Sequence, residues 1–259
     1  MQYKDPPKYE DIANQIGIKI ENNDQSNALE IMLRILSEYD IHVVIDDSGS
    51  MALSTRLNDQ SAPSRWDDAI EATTMIMNIG TVYDDDGVDV HFLNHKHSYN
   101  IKKGEIVTDK LKNIGPRGAT PIGARLVTIF NEFLQKLKTQ KEVKPINVIV
   151  ITDGEPTDKD LVKKCIGDLA RILIKMGYDP KNMCGIQFFQ VGDDMASTKY
   201  LESLDDELHK EQNIPDIVDS TCYNPSENLP LRYIILKSLL GGIDGDVDND
   251  KFKVLFKKN

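Results

Sequence analysis

The chain has 259 residues, 40% hydrophobic and 28% charged, and its 31 Lys and Arg against 42 Asp and Glu give a formal net charge of −11. A chain of this length and composition buries enough apolar surface to fold without staples, which excludes general disorder. The negative field opposes phosphate backbones and anionic headgroups, so neither nucleic acid nor a membrane surface is an expected partner.

Residues 1 to 24 hold Pro6, Pro7 and a polar Glu21–Asp24 cluster, and read as a loosely structured arm. From Ser26, Leu29, Met32, Leu33 and Leu36 fall on one helical face and predict a short helix that feeds the first strand. The expected organisation is an extension over 1–40, a domain over 41–240 and a charged tail over 241–259. Within the domain, strand-like runs at His42 to Asp46, Val88 to Leu93, Ile146 to Thr152 and Gly185 to Val191 alternate with helical runs. Trp66, Ile70, Thr73 and Met77 mark the first helix. Ile122, Leu126, Ile129, Phe133 and Leu137 mark the second, and Val162, Cys165, Leu169, Ile172 and Met176 the third.

Alternation of this kind predicts a doubly wound α/β fold, a mostly parallel six-stranded sheet with helices on both faces. His42–Ile45 and Ile146–Ile151 are nearly continuous apolar runs, as central parallel strands require. The weaker run His97 to Ile101 forms a hairpin with Val88–Leu93 and supplies one antiparallel edge strand. A polar helix around Ser197 to His209, a short strand within Ile214 to Tyr223 and a helix ending at Gly241-Gly242 complete the pattern. Cys165, Cys184 and Cys222 are widely spaced with no CxxC and read as reduced thiols. The start of the chain resembles no signal peptide and no stretch is long and apolar enough to span a membrane, so the expected location is cytoplasmic.

Each central strand runs into a polar cluster: Asp46-Asp47-Ser48-Gly49-Ser50 after the first, Thr152-Asp153-Gly154-Glu155 after the other. In open α/β sheets ligands bind beyond the carboxyl ends of the strands, where strand order reverses. If these strands are neighbours there, Asp46, Ser48, Ser50 and Asp153 share one crevice. Two carboxylates and two hydroxyls are an all-oxygen set, suited to a hard divalent cation such as Mg²⁺. The alternation at 46, 48 and 50 gathers its oxygens if the strand continues into an open turn.

Asp46-x-Ser48-x-Ser50, Thr120-Pro121-x-Gly123 and Ile151-Thr152-Asp153-Gly154, in this order, resemble the von Willebrand factor A domain over roughly residues 41 to 222. The resemblance implies a metal-ion-dependent adhesion site. Ser48, Ser50 and Thr120 would give hydroxyl oxygens to Mg²⁺ (Mn²⁺ serving as well), and Asp46 and Asp153 would act largely through bound water. It further implies a partner protein that presents an Asp or Glu to the metal, and no catalysis. Asp47, the Ser64–Asp67 helix start and the Gly87–Asn94 strand resemble intracellular, stand-alone members from fungi and protists.

Other readings of the same residues remain. Asp46, Ser48 and Ser50 could form a capped polar turn, Thr120 could cap a helix with Pro121 at its first position, and Asp153 could cap the helix after Pro156. A haloacid-dehalogenase-like phosphatase would use Asp46 as nucleophile but wants an aspartate where Ser48 stands. A scaffold with a purely structural metal is a further alternative. Gly118 to Gly123 has Walker spacing, but Ala124 and Arg125 stand where Lys and a hydroxyl residue are required. His91, His95 and His97 read as residues of a solvated hairpin rather than ligands. Asp244, Asp246, Asp248 and Asp250 imitate half an EF-hand loop that lacks its Gly and bidentate Glu.

Overall fold

The computed structural model describes residues 33–55, 63–102, 105, 107–111, 113–223 and 231–243. The expected arm, the helix predicted from Ser26 as far as residue 32, and the acidic tail from Asp244 lie outside these residues.

Six strands form one sheet: β1 (Asp40–Ile45), β2 (Val88–Phe92), β3 (Tyr99–Ile101), β4 (Ile146–Thr152), β5 (Cys184–Val191) and β6 (Val218–Tyr223). Their order is β3-β2-β1-β4-β5-β6, with every pairing parallel except the antiparallel β2–β3 edge. The sequence therefore winds outward in two directions from β1 and β4, which places the switch point between the two strands that end in polar clusters. Every residue of β4 and β5 is buried, the polar Asn147, Thr152, Gln187 and Gln190 along with the apolar majority, as central strands covered on both faces require.

The faces are covered unequally. On one, Ile41, Val43, Ile45, Val88, Val90 and Phe92 pack beneath α1 (Arg65–Tyr83) and α7 (Leu231–Leu240), with Val107 and Leu111 of the short α2 (Val107–Leu111) at the margin. On the other, Val44, Val148, Val150, Ile186 and Phe188 meet α3 (Ile122–Thr139), α4 (Lys159–Lys175), α5 (Met195–Asp206) and Leu208 of α6 (Leu208–Gln212). The single polar helix expected near 197–209 is thus two, divided at Glu207.

Three local devices position the carboxyl end of the sheet. Ser64 and Asp67 form a reciprocal capping box at the start of α1, which fixes Arg65 as its first residue. Asp158 accepts from the backbone N–H groups of Gly123 (3.0 Å) and Ala124 (2.9 Å), so the loop after β4 caps α3 from outside. Gly123 permits this approach, since a Cβ there would lie 2.9 Å from Asp158 Oδ2, Leu161 Cβ and Val162 N.

Candidate metal centre

The chain leaves β1 at Asp46 and does not continue extended, as the alternation at 46, 48 and 50 had suggested. Ser48 N donates to Asp46 Oδ1 (2.8 Å), and Ser48 then begins a 3₁₀ turn over Gly49–Ala52. The Asx-type bond bends the strand at its end, and the turn brings the two hydroxyls together: Ser48 Oγ and Ser50 Oγ are 3.1 Å apart. Ser50 Oγ donates to Asp153 Oδ1 at 2.9 Å, closing a contact between residues 103 positions apart. The carboxyl ends of β1 and β4 thus form one cluster of oxygens.

Asp46, Ser48 and Asp153 are almost wholly buried and Ser50 is half-buried. Asp46 Oδ2 accepts from Thr152 Oγ1 at 2.7 Å. Burial pushes the Asp46 carboxyl up to about 6, against the hydrogen bonds from Ser48 and Thr152, and the Asp153 charge adds to the rise.

Thr120 lies in the third segment. Gly49 N donates to Gly118 O (3.1 Å) and Arg117 N to Asp47 O (2.6 Å), which lays residues 117–120 along the turn after β1. Thr157 N donates to Thr120 O, tying the same segment to the loop after β4. Thr120 is buried and does not cap α3, whose N-cap residue is Pro121 with no side-chain cap and whose end is served by Asp158. Asp153 likewise caps no helix: its oxygens receive Ser50 and Arg65. The capping readings of Thr120 and Asp153 are therefore set aside by the geometry.

The roles of two residues, Arg65 and Asp47, escaped the sequence reading. Arg65 Nη1 donates to Asp153 Oδ2 at 2.5 Å, with side chains 11% and 1% exposed, so a guanidinium already neutralises one carboxylate of the crevice. The capping-box residues Ser64 and Asp67 signal where α1 begins, but not that its first side chain reaches β4. Asp47 turns away from the crevice and accepts from Asn94 N (2.7 Å) and His95 N (2.8 Å), which holds the end of β2 against β1. Asn94 Nδ2 continues to Ala119 O (2.8 Å), and Gly118, at φ +88°, leaves room for that side chain.

The donor set fits a hard divalent ion. Ser50 Oγ touches both Ser48 Oγ and Asp153 Oδ1, and Asp46 and Thr120 stand on the adjoining segments, so the groups gathered at this end of the sheet offer oxygen alone, with the Arg65 guanidinium already on one of them.

No protein-family profile matches the chain, and no curated protein matches it. Among solved structures it is similar to the D319A mutant of the PilB minor pilin from Streptococcus sanguinis, with 12% identity and a TM-score of 0.46. That alignment covers 84% of this chain and 63% of the pilin, so the chain spans less than two thirds of that protein. It is also similar to manganese-loaded Plasmodium vivax TRAP protein, with 15% identity and a TM-score of 0.42 over 78% of this chain and 72% of that one. Likeness at this level carries no chemistry with it. Among the described residues, no helix is long and apolar enough to cross a membrane.

Proposed function

We propose that this chain is a von Willebrand factor A-like module that binds a protein partner through a divalent cation held at the switch point. The observation that carries this reading is the contact of Ser48, Ser50 and Asp153 across the ends of β1 and β4. Ser48, Ser50 and Thr120 would hold Mg²⁺ or Mn²⁺ through their hydroxyls, and Asp46 and Asp153 through intervening water. Bound there, the ion supplies a positively charged coordination position that a partner's Asp or Glu can complete.

The remaining residues prepare the place. Thr152 and the Ser48 N–H orient Asp46, Asp158 fixes the start of α3 next to Thr120, and Asp47 keeps the end of β2 in line. Leu53 and Met195, 58% and 67% exposed, stand on the segments after β1 and β5 at the same end of the sheet and offer apolar contact beside a carboxylate. A binding role is favoured over phosphatase chemistry because Ser48 stands two positions after Asp46, where that chemistry wants a second aspartate as general acid.

The test is capture of partners on immobilised chain in Mg²⁺ and in chelator, alongside Ser48→Ala. The module predicts proteins retained in Mg²⁺ and released by chelator, with Ser48→Ala matching the chelated sample. Identical captures in all three would reject partner binding through the ion and favour a scaffold.

A further inference from the structure

A second group of ligating side chains lies on the same strand at a different depth. In the parallel pairing of β1 with β2, His42 is opposite Asp89 and Val44 opposite His91. Side chains two apart share a face, so His42, Asp89 and His91 all project to the α3 side of the sheet. His42 is four residues before Asp46, roughly 13 Å along the strand at about 3.3 Å per residue, so this group is separate from the oxygen crevice.

The donor atoms converge. His42 Nδ1 lies 3.1 Å from His91 Nε2 and 3.8 Å from Asp89 Oδ2, and the three ligating atoms lie within 4.8 Å of one another. Zinc bound at about 2.1 Å in a tetrahedron separates its donors by about 3.4 Å, between the 3.1 and 3.8 Å separations that His42 Nδ1 makes here. The imidazoles are 6% and 8% exposed, whereas the Asp89 side chain is 38% exposed and leaves a route from solvent.

An outer layer of hydrogen bonds is also in place. His91 Nδ1 is 2.9 Å from Ser98 Oγ, which can accept its proton and leave the Nε2 lone pair directed at the centre. Asn100 Nδ2 donates to Asp89 Oδ1 at 2.9 Å, which leaves Oδ2 on the side of His42. Burial lowers the proton affinity of both rings, that of His91 to about 4. Asp89 and Asp40 oppose that shift at His42 while Lys136 adds to it; at His91 the His42 ring and Arg125 add to it and Asp89 opposes it. The rings are thus neutral near pH 7, the form that ligates a metal.

We propose that His42 Nδ1, His91 Nε2 and the Asp89 carboxylate form a site for a borderline transition-metal ion of the Zn²⁺ class, with the fourth position open to water or an external ligand. Two nitrogens and one carboxylate select such an ion over Mg²⁺, while the oxygen crevice has the opposite preference. The competing occupant is a single proton shared between the two rings.

The test is titration of Zn²⁺ into the full chain, freed of metal by chelator and kept in excess Mg²⁺, followed by calorimetry and by the visible spectrum of a Co²⁺ substitute. The proposal predicts one Zn²⁺ per chain and a tetrahedral Co²⁺ spectrum. Affinity should fall at least about 100-fold in His91→Gln and about 10- to 100-fold in Ser98→Ala, a loss typical of outer partners. Ser48→Ala should leave Zn²⁺ affinity within twofold of wild type. Because His91→Gln alters a buried position, Asp89→Asn, at a half-exposed one, is the second variant and should weaken binding by a similar factor. Absence of a tight site in wild type would overturn the proposal in favour of the shared proton. A site that survives both His91→Gln and Asp89→Asn, or that is lost in Ser48→Ala, would overturn it too.

Discussion

The middle of β1 and the turn that follows its carboxyl end carry opposite chemistries. At its carboxyl end, Asp46, Ser48 and Ser50 turn out of the sheet and meet Asp153 of the neighbouring strand, an assembly made of oxygen alone. Within the strand, His42 stays in the sheet and meets Asp89 and His91 through register, an assembly dominated by nitrogen. The first depends on loops that leave the sheet, the second on how two strands align. A loop residue is set by local turn chemistry written in sequence, whereas a cross-strand neighbour is set by pairing that the sequence does not spell out.

Each region can be disturbed without the other. The largest effect is expected from Asp153→Ala, which removes an acceptor of Ser50 and leaves Arg65 as an unpaired, mostly buried cation. Loss of a buried partner of this kind costs about 3–5 kcal/mol, and chemical denaturation should show it together with loss of any Mg²⁺-dependent stabilisation, while the zinc titration keeps its affinity. Thr152→Val deprives Asp46 Oδ2 of its hydroxyl donor and should cost about 1–3 kcal/mol in the same assay. Arg65→Gln should act in the other direction on the ion: with the guanidinium gone from Asp153, Mg²⁺ should bind about tenfold more tightly, equal to about 1.4 kcal/mol, as calorimetry would record.

The smallest effect concerns pH. Burial pushes the Asp46 carboxyl up to about 6, well above the ordinary carboxylate range, so the folded chain holds the proton more strongly than the unfolded one. Its contribution to stability is fully present below about pH 4 and is lost as pH rises through 6. Metal-free protein should therefore lose on the order of 1 kcal/mol between pH 5 and pH 7.5 relative to Asp46→Asn, measured by urea denaturation. Saturating Mg²⁺ should remove most of that loss.

The alternation of largely apolar strands with helical runs made the architecture legible, including the antiparallel edge, whereas the position of β1 beside β4 was only the condition on which the shared crevice depended and is supplied by the sheet order. The site segments were legible for the same reason that the turns are local: Asp46, Ser48 and Ser50 lie within five residues, and Asp153 directly follows a buried strand. The 3₁₀ turn at Gly49–Ala52 was not, since the Ser48 N–H to Asp46 bond that begins it competes with an equally plausible extended continuation. Arg65 was hidden because its role depends on where α1 is docked, and Asp158 because it caps a helix more than thirty residues earlier. His91 was visible and read as hairpin polarity. Only the register with His42 shows what it faces.

A divalent cation held by Ser48, Ser50 and Asp153 is the proposal on which the binding function rests. Calorimetric titration of Mg²⁺ into the chelator-treated chain, compared with the Ser48→Ala, Ser50→Ala double variant, tests it most directly. One Mg²⁺ per chain is expected in wild type and none in the double variant, with both folded by circular dichroism. No saturable Mg²⁺ binding in wild type, or equal binding in the double variant, would contradict it.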